Sequence, residues 1–414
     1  MYKKIHSVNF NKKPGWYRIV NRTWESLYGL GAEVILSKDK LIKAARKSTG
    51  LSDFGPDFWE EPLDHMLYSI NGEADLNPIG KYITKKRLEN LLAIRLRCEW
   101  WFKKHPEILD QPLYPVFLII GLQRTGTTRL QRLLSKDPDT RSVLSWEAIN
   151  PAPLNRQLDE TRMRIRQAKI SEKALKLLSP DFFGIHPVEH HEPEEDILLL
   201  DISFLSTTAE ATMHVPSYAA WLENTDQSPA YQYAVKLLKF LQFQRPRKRW
   251  ILKSPHHLEF LDLADKYYGK VHYFWTHRNV YECLPSFISM MLQSRSIFSD
   301  KVDPGEVCNH WLRKNGFMLS KAVDYRKSKK TDHPFTDIYY ENLIERPLET
   351  LKEIYHVVGN LDSRLISRFQ KLLEMDHRKK YGQHIYSLDS VGLSREIIDQ
   401  HTRNYQEFLK ELRK

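Results

Sequence analysis

Cysteine is nearly absent. Cys98, Cys283 and Cys308 are the only three in 414 residues, too few and too scattered for a disulfide framework or a structural zinc site. They read as buried thiols in a reducing compartment. Long hydrophobic runs are missing as well. No stretch approaches the roughly twenty apolar residues of a membrane-spanning helix. The basic N-terminus (Lys3, Lys4, Lys12, Lys13) runs into Arg18, Arg22 and Glu25 rather than an apolar segment, which argues against a secretory signal. These absences lead to the expectation of a cytoplasmic protein. Internal repeats, low-complexity segments and any nucleic-acid-binding module are also lacking. A net charge of +11 then leaves three partners: nucleic acid, an anionic membrane surface, or a small anionic ligand such as a nucleotide. Nucleic acid ranks last, because the basic residues are spread along the chain.

What is present centres on Tyr114–Pro138. Val116-Phe117-Leu118-Ile119-Ile120 is a β-branched and aromatic run of the kind that forms a strand buried on both faces. Gly121 breaks it, Leu122–Gly126 make a short loop, and Leu130, Leu133 and Leu134 recur at helical spacing. A strand, a glycine loop and a helix make a phosphate cradle: glycines let backbone N–H groups approach an anion, with the positive end of the helix dipole behind them. Gly121 and Gly126 keep the spacing of the nucleotide-triphosphatase loop, G-x-x-x-x-G-K-[ST], but Thr127 stands where its lysine should be. That argues against ATP hydrolysis. The loop's cation is Arg124.

Around this loop the pattern alternates strands and helices, predicting one parallel sheet flanked by helices, a P-loop-like α/β fold. Residues 1–112 read as a helical N-terminal region. Its cluster Trp16, Tyr17, Trp24, Leu27, Tyr28 and Leu30 could lie on a membrane as a peripheral contact, lid an apolar pocket, or pack on the core or on a partner subunit of a homo-oligomer. The remainder, 113–414, reads as the ligand-binding domain, with a mostly helical insertion at about 155–246. Arg141–Glu147 is predicted as a second strand, bringing Glu147 to its end beside the loop, where ligands of open sheets bind. Within the insertion, Gly184–Asp196 gathers His186, His190 and His191 with five acids. Pro187 and Pro193 disfavour a regular helix there, and the His-Glu-x-x-His spacing of a metal site is missing. Tyr218, Trp221, Tyr231 and Tyr233 could line an acceptor pocket or form core. Strands are predicted to end at Lys253 and before Arg278, with Ser286 two helical turns after Arg278. That spacing lets a guanidinium and a hydroxyl meet one anion. Asp376–His384 is a basic, glycine-broken segment.

The order of these pieces resembles the sulfotransferases that use 3′-phosphoadenosine 5′-phosphosulfate (PAPS), and particularly the bacterial-type family with GLPRTGTT loops. The resemblance rests on Gly50–Gly55, Gly121–Thr128, Ser145-Trp146-Glu147, Tyr218–Trp221, Trp250–Leu258 with its K-S-P-x-H-L pattern, Thr276-His277-Arg278 and His384–Leu388. It implies transfer of a sulfuryl group from PAPS to an acceptor hydroxyl, ahead of an amine, with no metal required. Arg124, Thr125, Gly126, Thr127 and Thr128 would hold the 5′-phosphosulfate, and Arg278 and Ser286 the 3′-phosphate. Lys379 would add to the latter, although its segment departs from the R-K-G-x-x-G pattern of other branches. Arg124, then Lys253, would stabilise charge on the departing oxygen. The base would be Glu147, as in the tyrosylprotein branch, or His190 or His191, as the histidine of the cytosolic branch suggests. The acceptor is expected to be a small apolar or sugar alcohol. Two other readings stay open: a noncatalytic nucleotide-binding module, and a phosphotransferase or nucleotide kinase, which would need the missing lysine.

Overall fold

Strand β1, Val116–Ile120, is the centre of the molecule and is buried along its whole length. Val116, Leu118 and Ile120 join one hydrophobic cluster and Phe117 and Ile119 the other. This alternation is what a sheet covered on both faces requires. Each of these fully buried side chains is worth about 1.5–3 kcal/mol. The computed structural model describes residues 13–28, 35–158, 160–359, 361–374 and 391–413. Within them β2 (Thr140–Ser142), β3 (Arg249–Lys253), β4 (Val271–His277) and β5 (Phe335–Tyr339) complete a parallel sheet in the order β2-β3-β1-β4-β5. The chain leaves β1 toward one edge and later leaves β3 toward the other. A crevice therefore opens over the carboxyl ends of the central strands, the usual place for a ligand.

Register sets what faces that crevice. Ile119 pairs with Lys253 and Ile120 with Trp275, so Lys253, the loop after β1 and Arg278 beyond β4 emerge at one level. The helices cover both faces. Pro78–Lys104 starts earlier than its leucine pattern alone suggests, because Asn77 caps it by accepting from the Gly80 N–H at 2.8 Å and Pro78 fits the first turn. Gly50 ends Lys38–Thr49 in the left-handed conformation, φ 66°. The helix Gly15–Tyr28 packs inward through Tyr17, whose hydroxyl donates to the Ile297 carbonyl, and through Asn21, which accepts from the Ile79 N–H.

One local expectation changes. The second strand ends at Ser142 instead of reaching Glu147, because Ser145–Ile149 turns into a short helix. The Ser145 N–H is drawn to the Glu192 carbonyl, and the Glu147 side chain turns back to accept from the Leu144 N–H. After β3 the first turn is a 3₁₀ helix, Pro255–Glu259, and the α-helix begins at Leu261. Tyr218, Tyr231 and Tyr233 are core, each no more than 1% exposed. Trp221 stacks on His65. The three cysteines are free and buried.

Burial also gives the fold a pH dependence. His272 of β4 lies against Phe117 and Phe274, and burial pulls its pKa from 6.5 to about 4. It is neutral in the fold and takes up a proton when the chain unfolds, so its contribution is present above pH 6.5 and is lost as pH falls toward 4. Between pH 7 and pH 5 this one residue is expected to cost about 2 kcal/mol of stability. Urea unfolding at the two pH values should show that loss, and His272→Gln should flatten the pH slope. An unchanged slope would refute the assignment.

Candidate active site

The loop after β1 is shaped by two glycines and a strained arginine. Gly121 has φ 136°, and a Cβ there would strike Thr276 on β4. Gly126 has φ 91°, and its Cβ would press within 3.1 Å of Tyr340 and Leu343. Thr125 is buried. Its hydroxyl donates to the Leu122 carbonyl at 2.6 Å and meets the Thr276 hydroxyl at 2.7 Å. Its side chain therefore braces the loop, leaving the backbone N–H groups around Gly126, Thr127 and Thr128 for an anion at the start of the helix Thr127–Leu134.

Arg124 has φ 68°, in the left-handed region that only a small share of non-glycine residues adopt. Its Nε donates to the Ser286 hydroxyl at 3.1 Å and its Nη1 to the Ile185 carbonyl at 3.1 Å. Arg278 Nη1 donates to the Arg124 carbonyl at 2.9 Å. Arg124, Arg278 and Ser286 thus form one connected group. The Arg278 guanidinium lies 4.1 Å from the centre of the Tyr340 ring and pairs with Glu282 at 2.9 Å. Beside it, off the ends of β4 and β5, is a cavity of about 670 Å³ lined by Arg278, Asn279, Tyr281, Tyr339, Asn342 and Lys410. That is a volume suited to a nucleotide-sized ligand.

Lys253 ends β3 with 1% of its side chain exposed, and its Nζ pairs with Glu195 at 2.6 Å. Asp196 accepts from the Lys253 N–H at 3.0 Å and lies 2.8 Å from His257 Nε2. His257 Nδ1 lies 2.7 Å from the Tyr231 hydroxyl. His257 is thereby fixed as a structural group. Glu195 and Asp196 tether the polar segment Gly184–Asp196 to the end of β3.

That segment divides into a far half and a near half. His190 is held by Glu172 of the helix Thr161–Leu178, through Nδ1 at 2.6 Å, and His191 is exposed beside Glu192 at 3.5 Å. Among the described residues neither bonds to the loop, to Lys253 or to Arg278, and no group of three His, Cys, Asp or Glu residues is arranged to hold a metal. His186 belongs to the near half. It follows directly on Ile185, whose carbonyl takes Arg124, and it is half-buried. Burial pulls its pKa below the usual 6.5; Lys253 and Arg124 act in the same direction, against Glu194 and Glu195. A neutral imidazole is the result.

Glu147 is in another environment. Its carboxylate, 1% exposed, takes both Arg141 nitrogens at 2.8 and 2.7 Å, Arg245 at 3.2 Å and the Leu144 N–H at 3.0 Å. Burial alone would raise its pKa, but Arg141 and Arg245 bring it below the usual carboxylate value. This corrects its expected position at a strand end facing the ligand: it is a helix residue locked in a buried ion pair. Lys379 lies outside the described residues. His186, Glu195 and Tyr340 were not singled out from the sequence as site residues. Position in the chain marks none of them, though His186 lies in the polar segment Gly184–Asp196.

A model of the sulfotransferase family matches residues 115–360, more than half of the chain. Among solved structures, the sulfotransferase STF1 from Mycobacterium tuberculosis H37Rv is similar at 30% identity and a TM-score of 0.77, over 89% of this chain and 98% of that one. The sulfotransferase STF9 from Mycobacterium avium has a TM-score of 0.80 at 23% identity, over 91% of this chain and 97% of that one, a likeness of fold. No curated protein matches the sequence.

Proposed function

Because the chain belongs to the sulfotransferase family, we propose that the sulfuryl group it transfers comes from PAPS and goes to a hydroxyl of a small acceptor. The observation that carries the donor assignment is the linked group Arg124, Ser286 and Arg278 between a glycine-shaped loop and the adjacent cavity. An anion on the loop and a second anion near Arg278 require a ligand with phosphate chemistry at both ends. PAPS has that form, whereas ATP would call for the absent loop lysine.

When bound, PAPS supplies a sulfuryl group on an anhydride oxygen of its 5′-phosphate. Thr127 and Thr128 offer N–H groups to that end, and Arg124 places a fixed cation where charge builds on the departing oxygen. Lys253, one strand away, supplies a second cation whose position Glu195 fixes. Arg278 and Ser286 take the 3′-phosphate, with Tyr340 braced beneath the guanidinium. His186, neutral and half-buried, takes the proton from the acceptor hydroxyl. With His186 next to Ile185, whose carbonyl takes Arg124, this reading has the acceptor approach from the insertion side of the loop. Lys379 remains a proposed further contact of the 3′-phosphate.

Calorimetry with 3′-phosphoadenosine 5′-phosphate, ATP and AMP tests the donor assignment. The bisphosphate is expected to bind far more tightly than AMP, and tight ATP binding with none of the bisphosphate would sink it. Arg278→Ala should weaken the bisphosphate by about 1.5–3 kcal/mol, the worth of a hydrogen bond to a charged group, and leave AMP unchanged. Equal affinities of the variant and the parent for the bisphosphate would move the 3′-phosphate elsewhere. A screen of hydroxyl compounds with ³⁵S-labelled donor identifies the acceptor.

A further inference from the structure

The insertion helix Thr161–Leu178 leaves one face exposed that the transfer chemistry does not use. Met163, Ile170 and Leu177 recur every seven residues, which at 3.6 residues per turn stacks them within about 40° of one another along about 21 Å. They are 50%, 59% and 61% exposed. A single exposed apolar side chain means little, but three in one line make a stripe. Along one flank stand Arg162, Arg166, Lys169 and Lys173, all exposed. The helix's single acid, Glu172, turns away from that face, held by His190 and by Lys176. The opposite side buries Arg164 and Ala168. The outward surface therefore combines an apolar line with four cations and no anion.

We propose that this face docks on an anionic lipid bilayer, with the stripe entering the interfacial layer and the cations meeting lipid phosphates. Charge selects this occupant over a second copy of the chain. In a two-fold contact along the stripe, antiparallel helices bring the two cationic flanks together, where they repel, and parallel helices set each flank against the uncharged Gln167, Ser171 and Ala174 of the other copy, so neither arrangement gives the cations an anion. A lipid surface offers the opposite sign. The net charge of +11 favours the same approach at long range. No described helix is long and apolar enough to cross a membrane, and docking at the surface asks for none.

Cosedimentation of the full chain with vesicles tests this without reference to catalysis. The protein is expected to sediment with vesicles of phosphatidylcholine mixed with phosphatidylglycerol, weakly with pure phosphatidylcholine, and less as salt rises. Ile170→Glu with Leu177→Glu should reduce binding about tenfold or more, and Lys169→Ser with Lys173→Ser roughly fivefold per cation removed. All four positions are exposed, so far-ultraviolet circular dichroism and the unfolding temperature should stay at the wild-type values. The second pair keeps the test informative should the first pair fail to fold. Failure of the wild type to sediment with the anionic vesicles would overturn the proposal. So would variants that bind as well as wild type, or a wild-type dimer by light scattering that either pair dissociates.

Discussion

Arg124→Ala is expected to lower kcat by about 10²–10³-fold, the loss found when one preorganised donor to developing charge is removed, equivalent to about 2.7–4 kcal/mol. An arginine at φ 68° is held in a conformation that costs energy, and alanine at the same position would bear the same backbone cost. The comparison therefore isolates the guanidinium. That group is held by Ser286 on one side and by the Ile185 carbonyl on the other, so it needs little reorganisation when charge develops. Binding should suffer less than turnover, because the loop N–H groups and Arg278 remain. Arg124→Lys should recover only part of the loss, since an ammonium keeps the charge without the fixed fork that spans two partners. Single-turnover rates with ³⁵S-labelled donor separate chemistry from product release. Wild-type turnover in Arg124→Ala would remove the residue from the chemistry and hand the leading role to Lys253.

The parts of this site that could be read from the sequence are those fixed by local chain geometry. A glycine spacing after a β-branched run specifies a loop at a strand end, and Arg278 with Ser286 two helical turns later specifies a shared direction. The structure brings these pieces into contact through the Arg124 carbonyl and the Ser286 hydroxyl. What could not be read depends on contacts distant in sequence. Glu147 looked available because its neighbours suggested a strand, but Arg245, 98 positions away, and Arg141 close it into an ion pair. The same long-range packing takes His190 to Glu172 and His257 to Asp196 and Tyr231. Tyr218, Tyr231 and Tyr233, ambiguous between pocket and core by spacing, were decided by burial alone. His186 is the converse case: its neighbours in the chain say little, and its closeness to Arg124, Lys253 and Glu195 arises from how the insertion folds back.

Two variants that bear on the general base should fail in different ways. His186→Asn is expected to lower kcat/KM by about 10²–10⁴-fold, the usual worth of a positioned general base, with stability near that of the parent because the ring is half-buried. The pH profile supplies a reading that a structural role would not move. With the histidine pKa held below 6.5 by burial and by two nearby cations, activity should be full at neutral pH and fall as pH drops through that lowered value, and the variant should lose this limb. Glu147→Gln is expected to show the opposite pattern. Its carboxylate neutralises Arg141, itself 2% exposed, and also bonds to Arg245. Removing the charge leaves a buried cation uncompensated and should cost about 3–5 kcal/mol of stability, while the fraction that stays folded turns over at close to the parent rate per active site. Titrating active sites with the radiolabelled bisphosphate before measuring rates makes the two effects separable. A Glu147→Gln protein as stable as the parent yet slower by orders of magnitude, together with an active His186→Asn, would return the base to Glu147. It would also mean that the ion pair with Arg141 opens during the reaction.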